Sequence, residues 1–204
     1  MNIFEDNKSI INYYNKPYYK THPFTYGKLG WSSKKGQLIR FSYLLKYINN
    51  NDKILDYGCG YGDLLTYMIN EKIQAKYLGV DINPQFIQSC INKYNSNYFK
   101  LINSYKDIKY DFDWFVASGV FTVKTSTLDL YNTIDYFYQK VNKGLSFNLL
   151  GNNYDIEKTL TSNTLNIRGY DSNEVFNYLK SKYTNVFINF LFKKDKEFNI
   201  YIIK

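Results

Sequence analysis

The chain has 204 residues, 45% of them hydrophobic and 20% aromatic, with a formal net charge of +8. That length suits one domain with a substantial core, and no apolar run is long enough to cross a membrane as a helix. The start of the chain lacks a signal peptide's hydrophobic core, and Cys59 and Cys90 have no metal-ligand spacing, so a cytoplasmic protein with free thiols is expected.

Positive charge permits an acidic partner such as nucleic acid or a nucleotide-linked substrate. The lysines are nevertheless scattered, with Lys34-Lys35 and Lys193-Lys194 the densest pairs. A solvated surface explains them, and nucleic-acid binding has no basic run to support it. The composition is silent on oligomeric state.

Residues 1–35 read as a polar, aromatic, irregular arm, with Tyr13-Tyr14, Tyr18-Tyr19, Pro17 and Pro23. From Gln37 to Asn49, apolar residues at Leu38, Phe41, Leu44, Leu45 and Ile48 keep helical spacing. Strand–helix alternation follows. Strands are predicted near 53–57, 77–80, 97–101, 112–117 and 144–149, and helices near 62–70, 84–94, 127–141 and 172–182. Segments 184–192 and 197–203 read as a hairpin joined at Lys193-Lys194-Asp195-Lys196. The pattern predicts an α/β domain over 1–204, with an arm and helix over 1–50 capping a core over 51–204. Runs such as Trp114-Phe115-Val116-Ala117 suit a parallel sheet buried on both faces.

The run Asp56-Tyr57-Gly58-Cys59-Gly60-Tyr61-Gly62-Asp63 joins the first strand to its helix. Three alternating glycines permit a tight turn and leave the backbone bare for a ligand. A dinucleotide fingerprint, G-x-G-x-x-G, fits Gly58 and Gly60 but meets Asp63 at its third glycine. No G-x-x-x-x-G-K-[ST] occurs, which excludes a P-loop. Asp81 ends the second strand 25 positions after Asp56, room for one βαβ unit. A carboxylate there suits ribose hydroxyls, or alternatively caps the helix that starts at Pro84.

Asp56-x-Gly58-x-Gly60-x-Gly62 resembles motif I of the class I S-adenosylmethionine-dependent methyltransferases. The resemblance implies a Rossmann-like sandwich with a mostly parallel seven-stranded sheet, a C-terminal antiparallel hairpin and helices on both faces. It implies S-adenosylmethionine as cofactor, held by Asp56, Gly58, Cys59, Gly60 and Gly62, with Asp81 on the ribose and Ile82 beside it. Asn103 falls where the family has an acid for the adenine amino group; Ser104 and Tyr105 are alternatives. Asp113 to Phe121 resembles motif IV, which places Ser118 and Gly119 beneath the methyl-bearing sulfur. It lacks the Asn/Asp-Pro-Pro-aromatic run of amino-methylating DNA enzymes and the Pro-Cys of cytosine C5 enzymes. Asp111 and Asp113 precede that strand, so no metal is expected.

Gly30-Trp31, Gln37, Arg40-Phe41, Ala117-Ser118-Gly119-Val120-Phe121 and Phe147-Asn148 together resemble a group of small bacterial methyltransferases. Trp31 closes over the cofactor, stacks on a substrate or packs in the core. Arg40 grips a carboxylate or another anion, or pairs with an acid of this chain. His22, the only histidine, and Tyr26 are the candidate catalytic groups. The expected reaction is methyl transfer to a small-molecule or sugar-like acceptor by in-line displacement. An RNA acceptor and a non-catalytic cofactor-binding module are the alternatives.

Overall fold

The computed structural model describes residues 3–109, 111–123, 125–152, 167–192 and 196–204, with side chains 3–6, 18 and 19 outside the description. Four helices come first: α1 (Ile3–Tyr14), α2 (Pro17–Thr21), α3 (Thr25–Lys28) and α4 (Lys34–Leu44). The arm expected to be irregular is thus largely helical. Its signals are weak in sequence because the pieces are short and broken by prolines: Pro17 starts α2, and Pro23 lies between α2 and α3. Ser33 caps α4 by accepting from the Gly36 amide, which moves the start of that helix ahead of Gln37.

The core continues as β1 (Lys53–Tyr57), α5 (Asp63–Asn70), β2 (Lys76–Asp81), α6 (Pro84–Lys93), β3 (Phe99–Leu101), β4 (Phe112–Ala117) and α7 (Thr127–Lys140). It ends with β5 (Val141–Leu150), α8 (Ser172–Lys182), β6 (Asn185–Phe190) and β7 (Glu197–Ile203). Two expectations shift here. The third strand is shorter than 97–101, because Asn95 caps a 3₁₀ turn over Ser96–Tyr98. The fifth strand starts at Val141, directly after α7, rather than at 144. The central residues of the expected hairpin joint, 193–195, lie outside the described residues.

The seven strands are ordered β3-β2-β1-β4-β5-β7-β6. β1 pairs in parallel with both β2 and β4, so the chain's direction of travel across the sheet reverses between β1 and β4. Ligands bind at the carboxyl ends of strands at such a reversal. β7 runs antiparallel between β5 and β6. One face of the sheet packs Phe41, Leu64, Met68 and Ile87 from α4, α5 and α6. The other packs Leu130, Ile134 and Phe137 of α7 and Leu179 of α8.

β7 explains how α4 docks. Its period-2 alternation sends Phe198, Ile200 and Ile202 into the α7–α8 core. Glu197 and Tyr201 point to the other face. The Tyr201 hydroxyl donates to the Tyr43 carbonyl at 2.8 Å, and Glu197 receives Arg40. Two residues of one strand thereby hold the helix that carries the arm.

Candidate functional site

The glycine turn stands at the carboxyl end of β1. Gly58, Gly60 and Gly62 have φ of 73°, 54° and 72°, the left-handed region that side chains disfavour. Gly58 and Cys59 amides both donate to the Val80 carbonyl, at 2.8 and 3.0 Å, which pins the turn to β2. Two side chains lie over it. A Cβ on Gly58 would meet Val120 at 2.4 Å, and one on Gly60 would meet Leu29 at 2.9 Å.

Asp56 is buried beneath this turn and accepts a 2.6 Å hydrogen bond from the Tyr77 hydroxyl. Burial pushes its carboxyl up to about 7, while Tyr77 opposes the rise. Cys59 and Cys90 are both free and buried. The Cys90 thiol donates to the Gly60 carbonyl at 3.3 Å, closing the turn from below.

Asp63, the residue that breaks the dinucleotide fingerprint, has a structural use. Its two carboxylate oxygens accept from the Thr25 hydroxyl at 2.9 Å and the Gln37 amide nitrogen at 3.0 Å. One side chain ties α3 and α4 to the first residue of α5, and so holds the arm against the turn.

Asp81 sits beside the turn. Its Oδ2 accepts from the Gly60 amide at 2.9 Å and its Oδ1 from the Asn83 amide at 2.8 Å. Each oxygen keeps lone-pair capacity for a further donor. Burial raises its carboxyl to about 6, against three backbone hydrogen bonds that lower it. The helix cap is Asn83 instead, whose Oδ1 accepts from the Gln85 amide at 3.0 Å. The Asn83 Nδ2 is buried with no partner among the described residues. A buried orphan donor beside a carboxylate and a side-chain-free turn fits a ligand rich in oxygen and nitrogen acceptors.

Beyond β3, Ser104 starts a 3₁₀ turn with a capping box closed by Asp107. The Asp107 carboxylate also accepts from the Asn103 amide at 2.9 Å, and Asn7 of α1 donates to the Asn103 carbonyl at 2.6 Å. The arm therefore reaches the rim of the cleft at both the glycine turn and this loop.

At the carboxyl end of β4, Gly119 has φ of 69°. Buried Asn148 on β5 holds this turn with both ends of its amide: Oδ1 accepts from the Gly119 amide at 2.8 Å, and Nδ2 donates to the Ser118 hydroxyl at 3.1 Å. The Trp31 ring lies on the turn, where a Cβ on Gly119 would meet it at 2.8 Å. Trp31 also stacks on the Arg40 guanidinium, 4.6 Å from its centroid, and Phe192 flanks the same guanidinium at 5.0 Å. Arg40 donates through Nε and Nη2 to the two oxygens of Glu197. Both partners are buried, and the Arg40 charge opposes the upward push of burial on Glu197.

Under the arm lies a cavity of about 210 Å³, reached by Tyr13, Tyr14, His22, Trp31, Gly119 and Glu197 among others. His22 packs flat on Gly27, and its Nδ1 lies 3.1 Å from the Phe24 carbonyl oxygen and 3.2 Å from the Phe24 amide nitrogen. Tyr26 meets the edge of the His22 ring at 5.5 Å and stacks on Phe24. A larger groove, about 460 Å³, is lined by Lys53, Lys76 and Phe112, the first residues of β1, β2 and β4, and so opens at the end of the sheet opposite the glycine turn.

The fold thus gathers the glycine turn, Asp81, Ile82, Asn103, Ser104, Ser118 and Gly119 at the carboxyl ends of β1 to β4, and brings Trp31, Arg40 and His22 to the same end. Of the readings open for Arg40, the structure has it paired with an acid of its own chain. Sequence reasoning missed Glu197, Leu29 and the orphaned Asn83 amide. Glu197 did carry a signal, an acid at the first position of a mostly apolar strand.

Residues 48–182 match the family model described as a methyltransferase domain. Rv1506c of Mycobacterium tuberculosis, named as a methyltransferase of unspecified acceptor, is 29% identical over 122 residues, 56% of this chain and 74% of that protein. A tRNA (guanine-N(7)-)-methyltransferase of Clostridium botulinum is 28% identical over 72 residues, 35% of this chain and only 33% of the relative. Among solved structures, a magnesium protoporphyrin IX methyltransferase from Synechocystis with bound S-adenosylmethionine superposes with a TM-score of 0.67 at 11% identity, covering 98% of this chain and 97% of that one. The plantazolicin methyltransferase BpumL gives 0.63 at 13% identity, covering 99% and 98%. These likenesses at low identity show a common fold.

Proposed function

We propose that this chain, which belongs to the methyltransferase-domain family and is an S-adenosylmethionine-dependent methyltransferase, acts on a small-molecule acceptor seated in the cavity beneath its arm. The observation that carries this reading is the position of that cavity. It shares Trp31, Gly119 and Asn148 with the turn at the end of β4, so an acceptor there would lie beside a methyl group held over that turn.

The cofactor supplies an electrophilic methyl on a positively charged sulfur. In our reading the residues divide its binding. Asp81 accepts the ribose hydroxyls on its spare lone pairs. The glycine turn gives backbone amides and room to the amino-acid half. Ile82, Asn103 and Ser104 border the adenine, and Ser118 and Gly119 lie under the sulfur. Buried Asp56 acts at one remove, by supporting the turn through Tyr77. Leu29 and Val120 cover the turn, so their displacement admits the cofactor. Trp31 and Arg40 position the arm rather than touch a carboxylate, since Glu197 already satisfies that guanidinium. Arm and helix exclude water, and positioning of the acceptor supplies the rate.

An RNA acceptor is the second reading, supported by the +8 charge and by the short match to a tRNA methyltransferase. Against it, Arg40, the Lys or Arg among the described residues lining the cavity, is held by Glu197 and is not free for phosphate. Titration calorimetry with S-adenosylmethionine and its demethylated product tests cofactor binding. Incubation with metabolite and RNA panels, read by mass spectrometry for an added methyl, tests the acceptor. Methylated RNA with steeply salt-dependent binding would overturn the small-molecule reading. Cofactor binding without transfer to any acceptor would favour a binding module.

A further inference from the structure

We infer that the acceptor is an uncharged planar ring bearing a hydroxyl group, and that His22 is the general base that removes the hydroxyl proton. This rests on the cavity being the acceptor site.

The walls select the ring. Tyr13, Tyr14 and Trp31 present aromatic surface, and Leu29, Val123 and Leu150 aliphatic surface. The charged groups among the lining residues, Arg40 and Glu197, are bonded to each other. Among the described residues, a carboxylate or ammonium entering this space finds no free counter-charge to offset its lost hydration. An uncharged ring loses little and gains stacking. A cavity of about 210 Å³ suits a one- or two-ring molecule.

His22 supplies the proton acceptor. With its proton on Nδ1, the ring donates to the Phe24 carbonyl at 3.1 Å and leaves the Nε2 lone pair free. Nε2 has no hydrogen-bond partner among the described residues. In the other tautomer Nδ1 accepts from the Phe24 amide at 3.2 Å, so both forms are satisfied in place. The ring is braced from behind, because it packs so closely on Gly27 that a Cβ there would come within 2.1 Å of its Cε1. Among the described residues, the Tyr26 phenol touches the ring, and the phenols of Tyr13 and Tyr14 and the Arg40–Glu197 pair line the same cavity.

In the step, the acceptor O–H bond breaks and its proton passes to Nε2. The oxygen electron pair forms the new O–CH₃ bond as the S–CH₃ bond breaks, with that electron pair remaining on sulfur. The imidazolium keeps its Nδ1–H bond to Phe24 and gives the Nε2 proton to water after product leaves. The products are the methyl ether, the neutral thioether form of the cofactor and one proton.

The test uses tag-free protein with histidine carbon-13-labelled at Cε1, whose sole imidazole gives one Cε1–H NMR signal. The probes are 7-hydroxycoumarin, catechol and 2-naphthol, with benzoate and benzylamine as charged controls, added to protein saturated with S-adenosylhomocysteine. We expect the imidazole signal to move with the phenols and not with the controls, and the phenols to become methyl ethers when S-adenosylmethionine replaces its product. His22→Gln should lower kcat by about 10²-fold or more, with KM and cofactor affinity within about threefold and the rising limb of the pH–rate profile lost. A signal unmoved by all three phenols, or His22→Gln within about threefold of wild-type kcat, overturns the inference. Methyl transfer to benzoate or benzylamine alone overturns it while leaving the small-molecule reading intact. Failure to bind the cofactor would sink that broader reading instead.

Discussion

Replacing Glu197 by leucine removes both acceptors of a buried guanidinium. The Arg40 and Glu197 side chains are only 7% and 2% exposed, so water from the adjoining cavity replaces the lost carboxylate poorly. Breaking one partner of such a pair costs about 3–5 kcal/mol, which for a chain of this length is a fall in Tm of roughly 6–20 °C. The double variant Arg40→Met/Glu197→Leu removes the stranded charge as well. Buried pairs replaced whole by apolar residues are often near neutral, so the double variant should recover most of the loss. It should still forfeit the stacking of Arg40 on Trp31, worth about 0.5–2 kcal/mol. Urea unfolding of the four proteins, followed by far-ultraviolet circular dichroism, gives the cycle. The reasoning is refuted if Glu197→Leu costs under about 1 kcal/mol, or if the double variant is less stable than both single ones.

Asp81→Ala should weaken S-adenosylmethionine binding by about 1.5–3 kcal/mol, roughly 10- to 150-fold, through loss of hydrogen bonds to a charged acceptor; calorimetry measures this directly. Asp56 binds its proton more tightly folded than unfolded, since its carboxyl is raised from 3.8 to about 7. Its contribution to stability is therefore fully present below pH 4 and lost as pH rises through 7. Asp56→Asn cannot ionise, so its stability relative to wild type should climb between pH 5 and pH 8; a constant difference across that range would refute the assignment. Gly119→Ala forces φ of 69° on a residue with a side chain and drives its Cβ to 2.8 Å from Trp31. It should cost about 1–2 kcal/mol from the backbone alone and shift the Trp31 fluorescence emission as the indole is displaced.

Much of this fold is legible in the sequence because parallel strands and their helices declare themselves locally. Trp114 to Ala117 could be read as a doubly buried strand, and Gly58, Gly60 and Gly62 as a turn, without knowledge of the rest. The arm was not legible. Its helices are short, and what fixes them is distant: Asp63 for α3 and α4, Asn103 for α1. Asp63 could be seen to break a dinucleotide fingerprint, but its use as an anchor depends on Thr25 and Gln37 arriving from elsewhere. Arg40 could be singled out as a two-pronged donor. Its partner lies 157 positions away, a separation over which no pattern in one sequence carries information.

That separation also sets an order of events during synthesis. At about 5–20 residues per second, roughly 8–30 s pass between the appearance of Arg40 and that of Glu197. Through this interval the guanidinium lacks its carboxylate and must stay hydrated, so α4, although held by Phe41 and by Gln37 on Asp63, is without its last anchor. The strand that carries Glu197 is also the strand that separates β5 from β6. The insertion of β7 therefore adds two late anchors to α4 together, Glu197 on Arg40 and Tyr201 on the Tyr43 carbonyl, and with Glu197 the last-made wall of the cavity.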